Sequence, residues 1–264
     1  MRKKISLSII MAIGMLSLLF VGCTNNKEEK TLTVSIAASL QKPMEKIASN
    51  FEKENGVKIQ YNVGGSGTSK KQISDGADVD LFFSANTKYA KEFIDEGLVN
   101  KDESYKILNN QLVLIENNDY NKPINSLEDL KNVEGKIAIG EISTVPAGQY
   151  AKESLEKVGV YKDIEDKLVF ARSVTNVKTY VENGEANLGF VYKTDALDLK
   201  NSKIVYEVPN DYHKPIEYEL CLLKNSKNNK EAKNLIEYLK VKKVKRYLVS
   251  MVLRWTKKWY GKPY

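Results

Sequence analysis

Five stretches of this chain bring hydroxyls and backbone N–H groups to places where a strand-like run gives way to a helix-like one. Ile36-Ala37-Ala38-Ser39-Leu40 ends an apolar run in small residues and a hydroxyl. Asn62-Val63-Gly64-Gly65-Ser66-Gly67-Thr68-Ser69 combines the hydroxyls of Ser66 and Thr68 with glycines that let backbone come close to an anion. In Ile142-Ser143-Thr144-Val145-Pro146-Ala147-Gly148-Gln149-Tyr150, Pro146 suits the first turn of a helix and leaves the N–H groups of Ala147 and Gly148 facing forward. Ser173-Val174-Thr175-Asn176-Val177 opens another helix, and Tyr192 closes a strand before Lys193-Thr194-Asp195. Singly, each reads as an N-cap or a turn. Together they offer donors from both halves of the chain.

A donor-only lining suits a tetrahedral oxyanion that is fully deprotonated at neutral pH, because such an anion can only accept hydrogen bonds. Phosphate keeps a proton part of the time and would gain from an acceptor, which this set lacks. Helix N-termini and charge-assisted hydrogen bonds replace the hydration a buried dianion loses, so no Arg or Lys is required. The glycine run matches neither the dinucleotide pattern G-x-G-x-x-G nor a P-loop ending in G-K-[ST], so nucleotide binding is not expected. Asp78 and Asp80 flank Val79 at strand spacing and read as structural. His213 is the only histidine, which leaves a zinc site or a catalytic triad poorly equipped. A surface hydrolase of sulfate or phosphate esters would share the pocket, but it needs a base or a metal beside Ser39 or Ser66, and none is evident. We therefore expect no catalytic residues, no cofactor and no direct cation ligands.

The elements that must hold these donors alternate. Residues 31–37, 57–63, 79–84, 136–140, 168–171 and 188–192 read as strands. Residues 41–54, 70–74, 87–97, 147–158 and 174–182 read as helices. On the first helix Met44, Ile47, Ala48 and Phe51 share one apolar face. The pattern predicts an α/β architecture with parallel sheet segments, whose ligands sit beyond the carboxyl ends of the strands. Some 210 residues are enough for two compact lobes. Cys221, within Leu220-Cys221-Leu222-Leu223, reads as a small core residue in a further strand.

Arg2, Lys3 and Lys4 precede an apolar run that ends at Gly22-Cys23, which reads as a signal peptide over 1–22 and a lipobox-like site with Cys23 as the lipidated residue. Residues 23–30 then form a solvated tether, and the rest of the chain is extracytoplasmic, anchored to the membrane by lipid. The net charge of +7 invites a nucleic-acid reading. Setting aside the three basic residues of the leader and the eight between 241 and 264 leaves the body at −4, so nucleic acid is not an expected partner.

Ala37-Ala38-Ser39-Leu40, Gly65-Ser66-Gly67, Asp78-Val79-Asp80-Leu81-Phe82-Phe83-Ser84-Ala85, Val145-Pro146-Ala147-Gly148-Gln149-Tyr150-Ala151-Lys152 and Leu188-Gly189-Phe190-Val191-Tyr192 resemble, in order and spacing, the molybdate-binding proteins of ABC transporters. The resemblance spans residues 31 to 240. It implies a two-lobed periplasmic-binding-protein-like fold of type II, each lobe a sheet flanked by helices with a hinge between them. It assigns residues 31–112 and 207–240 to a discontinuous first lobe and 113–206 to the second. It further implies that Ser39 and Ser66 supply hydroxyls, Ala147 and Val177 backbone N–H groups, and Tyr192 a phenol, to molybdate or tungstate. A sulfate receptor is the alternative. The implied partners are the anion and an ABC permease, with the chain acting as a monomer.

Beyond residue 240 the resemblance stops. Where the family pattern expects an ending like Phe-x-Lys-Tyr-Gly-Phe, this chain has a basic, Trp-containing tail over 241–264. Back-translation with AT-rich codons, read one frame over from Lys240, restores that ending. We read the tail as a frameshift product; a basic amphipathic segment lying on anionic lipid is the other reading.

Overall fold

The computed structural model describes residues 30–241 and Val244. The leader, Cys23, most of the tether and the tail beyond Val241, apart from Val244, lie outside the described residues. Among the described residues the chain runs β1 (Lys30–Ala37), α1 (Gln41–Asn55), β2 (Val57–Gly64), α2 (Ser66–Ser74), β3 (Leu81–Ser84), α3 (Thr87–Asp95), β4 (Val99–Asn109), β5 (Leu112–Asn117), β6 (Ile137–Gly140), α4 (Pro146–Lys157), β7 (Leu168–Ala171), α5 (Val174–Glu182), β8 (Leu188–Tyr192), β9 (Ser202–Glu207), β10 (Glu217–Leu223) and α6 (Asn229–Lys240). Lys30, assigned to the tether by sequence, already belongs to β1. No helix among the described residues is long and apolar enough to cross a membrane.

The strands form two five-stranded sheets, ordered β2-β1-β3-β10-β4 and β7-β6-β8-β5-β9. Each is mixed rather than parallel throughout. β1 pairs in parallel with β2 and β3, and β6 with β7 and β8, while β10 and β5 run antiparallel to their neighbours. The chain leaves the first sheet at the end of β4, Asn109, and enters the second at Leu112; it leaves the second at Glu207 and rejoins the first at Glu217. The parallel core of each sheet thus gathers the carboxyl ends of β1, β2, β6 and β7 at the cleft between lobes, and a helix or 3-10 turn starts from each.

The apolar face of α1 buries Met44, Ile47, Ala48 and Phe51, over a sheet whose inner residues Leu32, Val34 and Ile36 are wholly buried. Gly56, at φ +62, ends that helix in the left-handed conformation glycine adopts without strain. In the second lobe the start of α4 lies directly on the end of β6, where a Cβ on Gly148 would overlap the Gly140 carbonyl. This backbone-on-backbone contact fixes where the first N–H groups of α4 face.

Two boundaries differ from expectation for local reasons. β3 begins at Leu81 because the Asp80 carboxylate, not a backbone carbonyl, takes the Thr33 N–H (2.8 Å) and also holds Ser226 Oγ (2.6 Å). Asp78 pairs with Lys227 at 2.6 Å. Both aspartates therefore staple the sheet to the turn before α6. The helix expected over 70–74 begins at Ser66, so the glycine-rich run is its first turn, with Gly65 as N-cap. Cys221 is buried in β10 beside Ser104 Oγ (3.3 Å), and burial pushes its thiol up to about 12.

Candidate functional site

The strand-to-helix junctions converge on a small cavity between the lobes, about 10 Å³ in volume and on the order of one water-sized sphere. Ala37, Ala38, Ser39, Gly64, Gly65, Ser66 and Ala85 line it from the first lobe, and Val145, Pro146, Ala147, Val174 and Tyr192 from the second. No charged side chain is among them. The positive field comes instead from the N-termini of α2, α4 and α5 and the 3-10 turn Ala38–Leu40.

Each donor is set by its local chain. Ser66 is wholly buried, and its Oγ accepts the Ala85 N–H at 3.1 Å, which leaves its own proton free for the cavity. As the first residue of α2, Ser66 also has an N–H with no acceptor inside the helix. Ser39 Oγ lies 2.8 Å from the Tyr218 hydroxyl. In α4, Pro146 has no N–H, while Gly148 and Gln149 donate to Val145 O, so Ala147 holds the unspent donor of that turn. The Tyr192 hydroxyl is buried without any hydrogen-bond partner. Burial, then the neighbouring Tyr218, raises its pKa well above that of an ordinary phenol, so it is a neutral donor.

Of the residues singled out by sequence, Ser39, Ser66, Ala147 and Tyr192 meet at the cavity. Val177 does not. Its N–H is spent on Ser173 O (3.2 Å), and its side chain is buried beside Gly189. Ser173 caps α5, and its Oγ also takes the Asn176 N–H. These two bonds consume the later donors and leave Val174, which lines the cavity, at the open end of the helix. Neither serine has a base: Ser39 meets a tyrosine hydroxyl and Ser66 a backbone amide.

Asp195, which the sequence shows only as following the Tyr192 junction, is an acidic neighbour of the site. It lies in the adjoining interlobe cleft with Lys42 and Lys178, and its Oδ2 is buried without a partner. Burial lifts its carboxyl to about 7, against the opposing pull of Lys178 and a backbone hydrogen bond from Tyr192.

The lobes are closed on one another. Gly67 N–H donates to Thr144 O across the cleft at 2.8 Å, Asn86 Nδ2 to Gln149 Oε1 at 3.0 Å, and Gln149 Nε2 to the Tyr89 hydroxyl at 2.7 Å. On the other side Lys42 reaches from the first lobe to Asp198 of the second, which Lys178 also holds.

Two lobes closing over a buried cluster of donors is an arrangement for sequestering a small solute. Residues 32–251 match the family described as bacterial extracellular solute-binding protein. The chain is a bacterial extracellular solute-binding protein. Among its relatives, this solute-binding protein is 43% identical over 239 residues to the Bacillus subtilis (strain 168) protein named "Putative ABC transporter substrate-binding lipoprotein YvgL", covering 88% of this chain and 92% of that one. It is 35% identical over 218 residues to the molybdate-binding protein ModA of Escherichia coli (strain K12), covering 81% and 84%. In fold it is similar to the periplasmic molybdate-binding protein of Azotobacter vinelandii, with a TM-score of 0.73 at 22% identity, covering 88% of this chain and all of that one.

Proposed function

We propose that this solute-binding protein captures molybdate or tungstate for an ABC importer and is held at the outer face of the membrane by a lipid on Cys23. The anion is gripped by the hydroxyls of Ser39, Ser66 and Tyr192 and the N–H groups of Ala147 and Val174, the last in place of Val177. The observation that carries this reading is the unpartnered, buried Tyr192 hydroxyl beside a cavity ringed by helix N-termini and free of charged side chains. Leaving such a group unpaired costs about 1–3 kcal/mol, a cost that an acceptor brought by a ligand removes. A dianion that carries no proton matches a lining made only of donors, whereas hydrogen phosphate would leave its own O–H without an acceptor. The similarity to molybdate-binding relatives supports the same choice.

Calorimetric titration with molybdate, tungstate, sulfate and phosphate tests the proposal. Tight one-to-one binding of molybdate and tungstate is expected, and binding of phosphate without molybdate would overturn it. For the anchor, labelled palmitate should enter the full-length chain in cells and be lost in Cys23→Ala; equal labelling of the two would refute it.

A further inference from the structure

Behind Ser39 lies a hydrogen-bonded chain that none of the expected ligand contacts includes. Asn110 stands where the chain first passes between the lobes, and its N–H donates to Ile216 O (3.0 Å) on the returning segment. Its side-chain oxygen accepts the Gln111 N–H at 2.9 Å. Because that N–H can only donate, the orientation of the amide is fixed, and the Asn110 NH2 group faces the other way. It donates to Tyr218 Oη in the first lobe (2.9 Å) and to Thr194 Oγ1 in the second (2.8 Å). Tyr218, wholly buried on β10, has one proton, and its remaining hydrogen-bond partner is Ser39 Oγ. With Asn110 donating to it, the Tyr218 proton goes to Ser39, and the Ser39 proton is left to face the cavity. The Tyr218 ring also packs edge-on against Tyr192, with centroids 5.9 Å apart, so one residue steadies donors from both lobes.

We propose that Asn110 and Tyr218 are positioning residues that turn the Ser39 hydroxyl into an obligate donor, and that this polarity makes the site reject oxyanions that carry a proton. The inference rests on the oxyanion reading above and adds to it the origin of selectivity. Without the relay, Ser39 could rotate and present a lone pair, which is what the O–H of hydrogen phosphate requires.

Asn110→Asp reverses the chain, because a carboxylate accepts the Tyr218 proton and Tyr218 then accepts from Ser39. Tyr218→Phe breaks the chain and keeps the ring packing. The readout is the ratio of phosphate to molybdate dissociation constants, with phosphate measured by displacement of bound molybdate. That ratio should fall by about tenfold or more in each variant, the scale of one hydrogen bond to a charged group. In the Tyr218→Phe background, adding Asn110→Asp should change the ratio by less than about threefold, since the charge alone acts on both anions. A merely structural role would weaken both anions in proportion. Proportional loss, or phosphate that displaces molybdate from neither variant, overturns the proposal. Failure of the unaltered protein to bind molybdate would instead count against the oxyanion reading.

Discussion

Gly67→Ala separates closure of the cleft from folding of the lobes. A Cβ built on Gly67 would lie 2.7 Å from Thr144 Cα and 3.0 Å from Thr144 O, atoms of the opposite lobe that cannot rotate aside. Bringing the shorter contact to an ordinary 3.4 Å requires the lobes to part by about 0.7 Å. That displacement stretches the Gly67 N–H to Thr144 O bond from 2.8 Å to the edge of hydrogen bonding. It also moves the donors of one lobe away from an anion held by the other. Losing the interlobe bond costs about 0.5–1.5 kcal/mol and weakening one charge-assisted ligand bond about 1.5–3 kcal/mol. The sum, on the order of 2–4.5 kcal/mol, weakens binding by roughly 30- to 2,000-fold. With the lobes open, the Thr144 contacts are gone and the Cβ meets only the tip of the Tyr89 side chain of its own lobe, at 2.7 Å from the hydroxyl, which must swing aside; that cost offsets the gain of up to about 1 kcal/mol that alanine has over glycine in a helix. Calorimetric titration with molybdate, paired with thermal unfolding without ligand, should therefore show weaker binding and little change in stability. Unaltered affinity, or affinity and ligand-free stability lost together, would refute the reasoning.

Four further substitutions probe single groups. Val174→Pro deletes one N–H at a first-turn position whose preceding residue, Ser173, is already extended; affinity should fall by roughly 10- to 150-fold with ligand-free stability nearly kept. Val177→Pro should instead cost about 3 kcal/mol of stability, because it breaks the bond to Ser173 O inside α5. Tyr192→Phe removes a hydroxyl that has no partner without ligand, so unfolding stability should hold or rise while anion affinity drops tens-fold; denaturant unfolding and titration read the two effects. Asp195, lifted by burial from 3.8 to about 7, is protonated in the folded chain and ionised in the unfolded one between those values. Its contribution to stability is therefore full below pH about 4 and lost as pH rises to about 7, by at most about 4 kcal/mol and by less in proportion to the water that reaches this half-buried residue. Asp195→Asn should flatten that part of the pH profile and gain over the parent at pH 8, as denaturant unfolding across pH would show; parallel profiles would contradict it.

Much of this architecture can be read in the chain because the parallel strands are short β-branched runs and the helices between them carry clear apolar faces. β4 gives no such signal, since Asn100, Lys101 and Asp102 are exposed and break any apolar alternation. The start of α2 is hidden because glycine propensity argues against a helix at 65–67, whereas the fold needs Gly67 there for its closeness to Thr144. Ser39, Ser66, Ala147 and Tyr192 are legible as donors at junctions, although their meeting point depends on how two sheets face each other. That the Val177 N–H is bonded within its own helix does have a signal in the sequence: an N-cap serine takes up the N–H groups three and four residues on, which leaves the first ones of that helix open. Asn110 and Tyr218 carry no local signal, since their roles exist only when residues 39, 110 and 218 are brought together.

A tetrahedral dianion should sit between the lobes on neutral donors alone. Crystals grown with molybdate and measured at the molybdenum absorption edge test it most directly. A single anomalous peak is expected in the cavity, with oxygens in hydrogen-bond reach of Ser39, Ser66 and Tyr192 hydroxyls and the Ala147 and Val174 N–H groups. A peak held by lysine or arginine side chains elsewhere, or an empty cavity at saturating molybdate, would contradict the account.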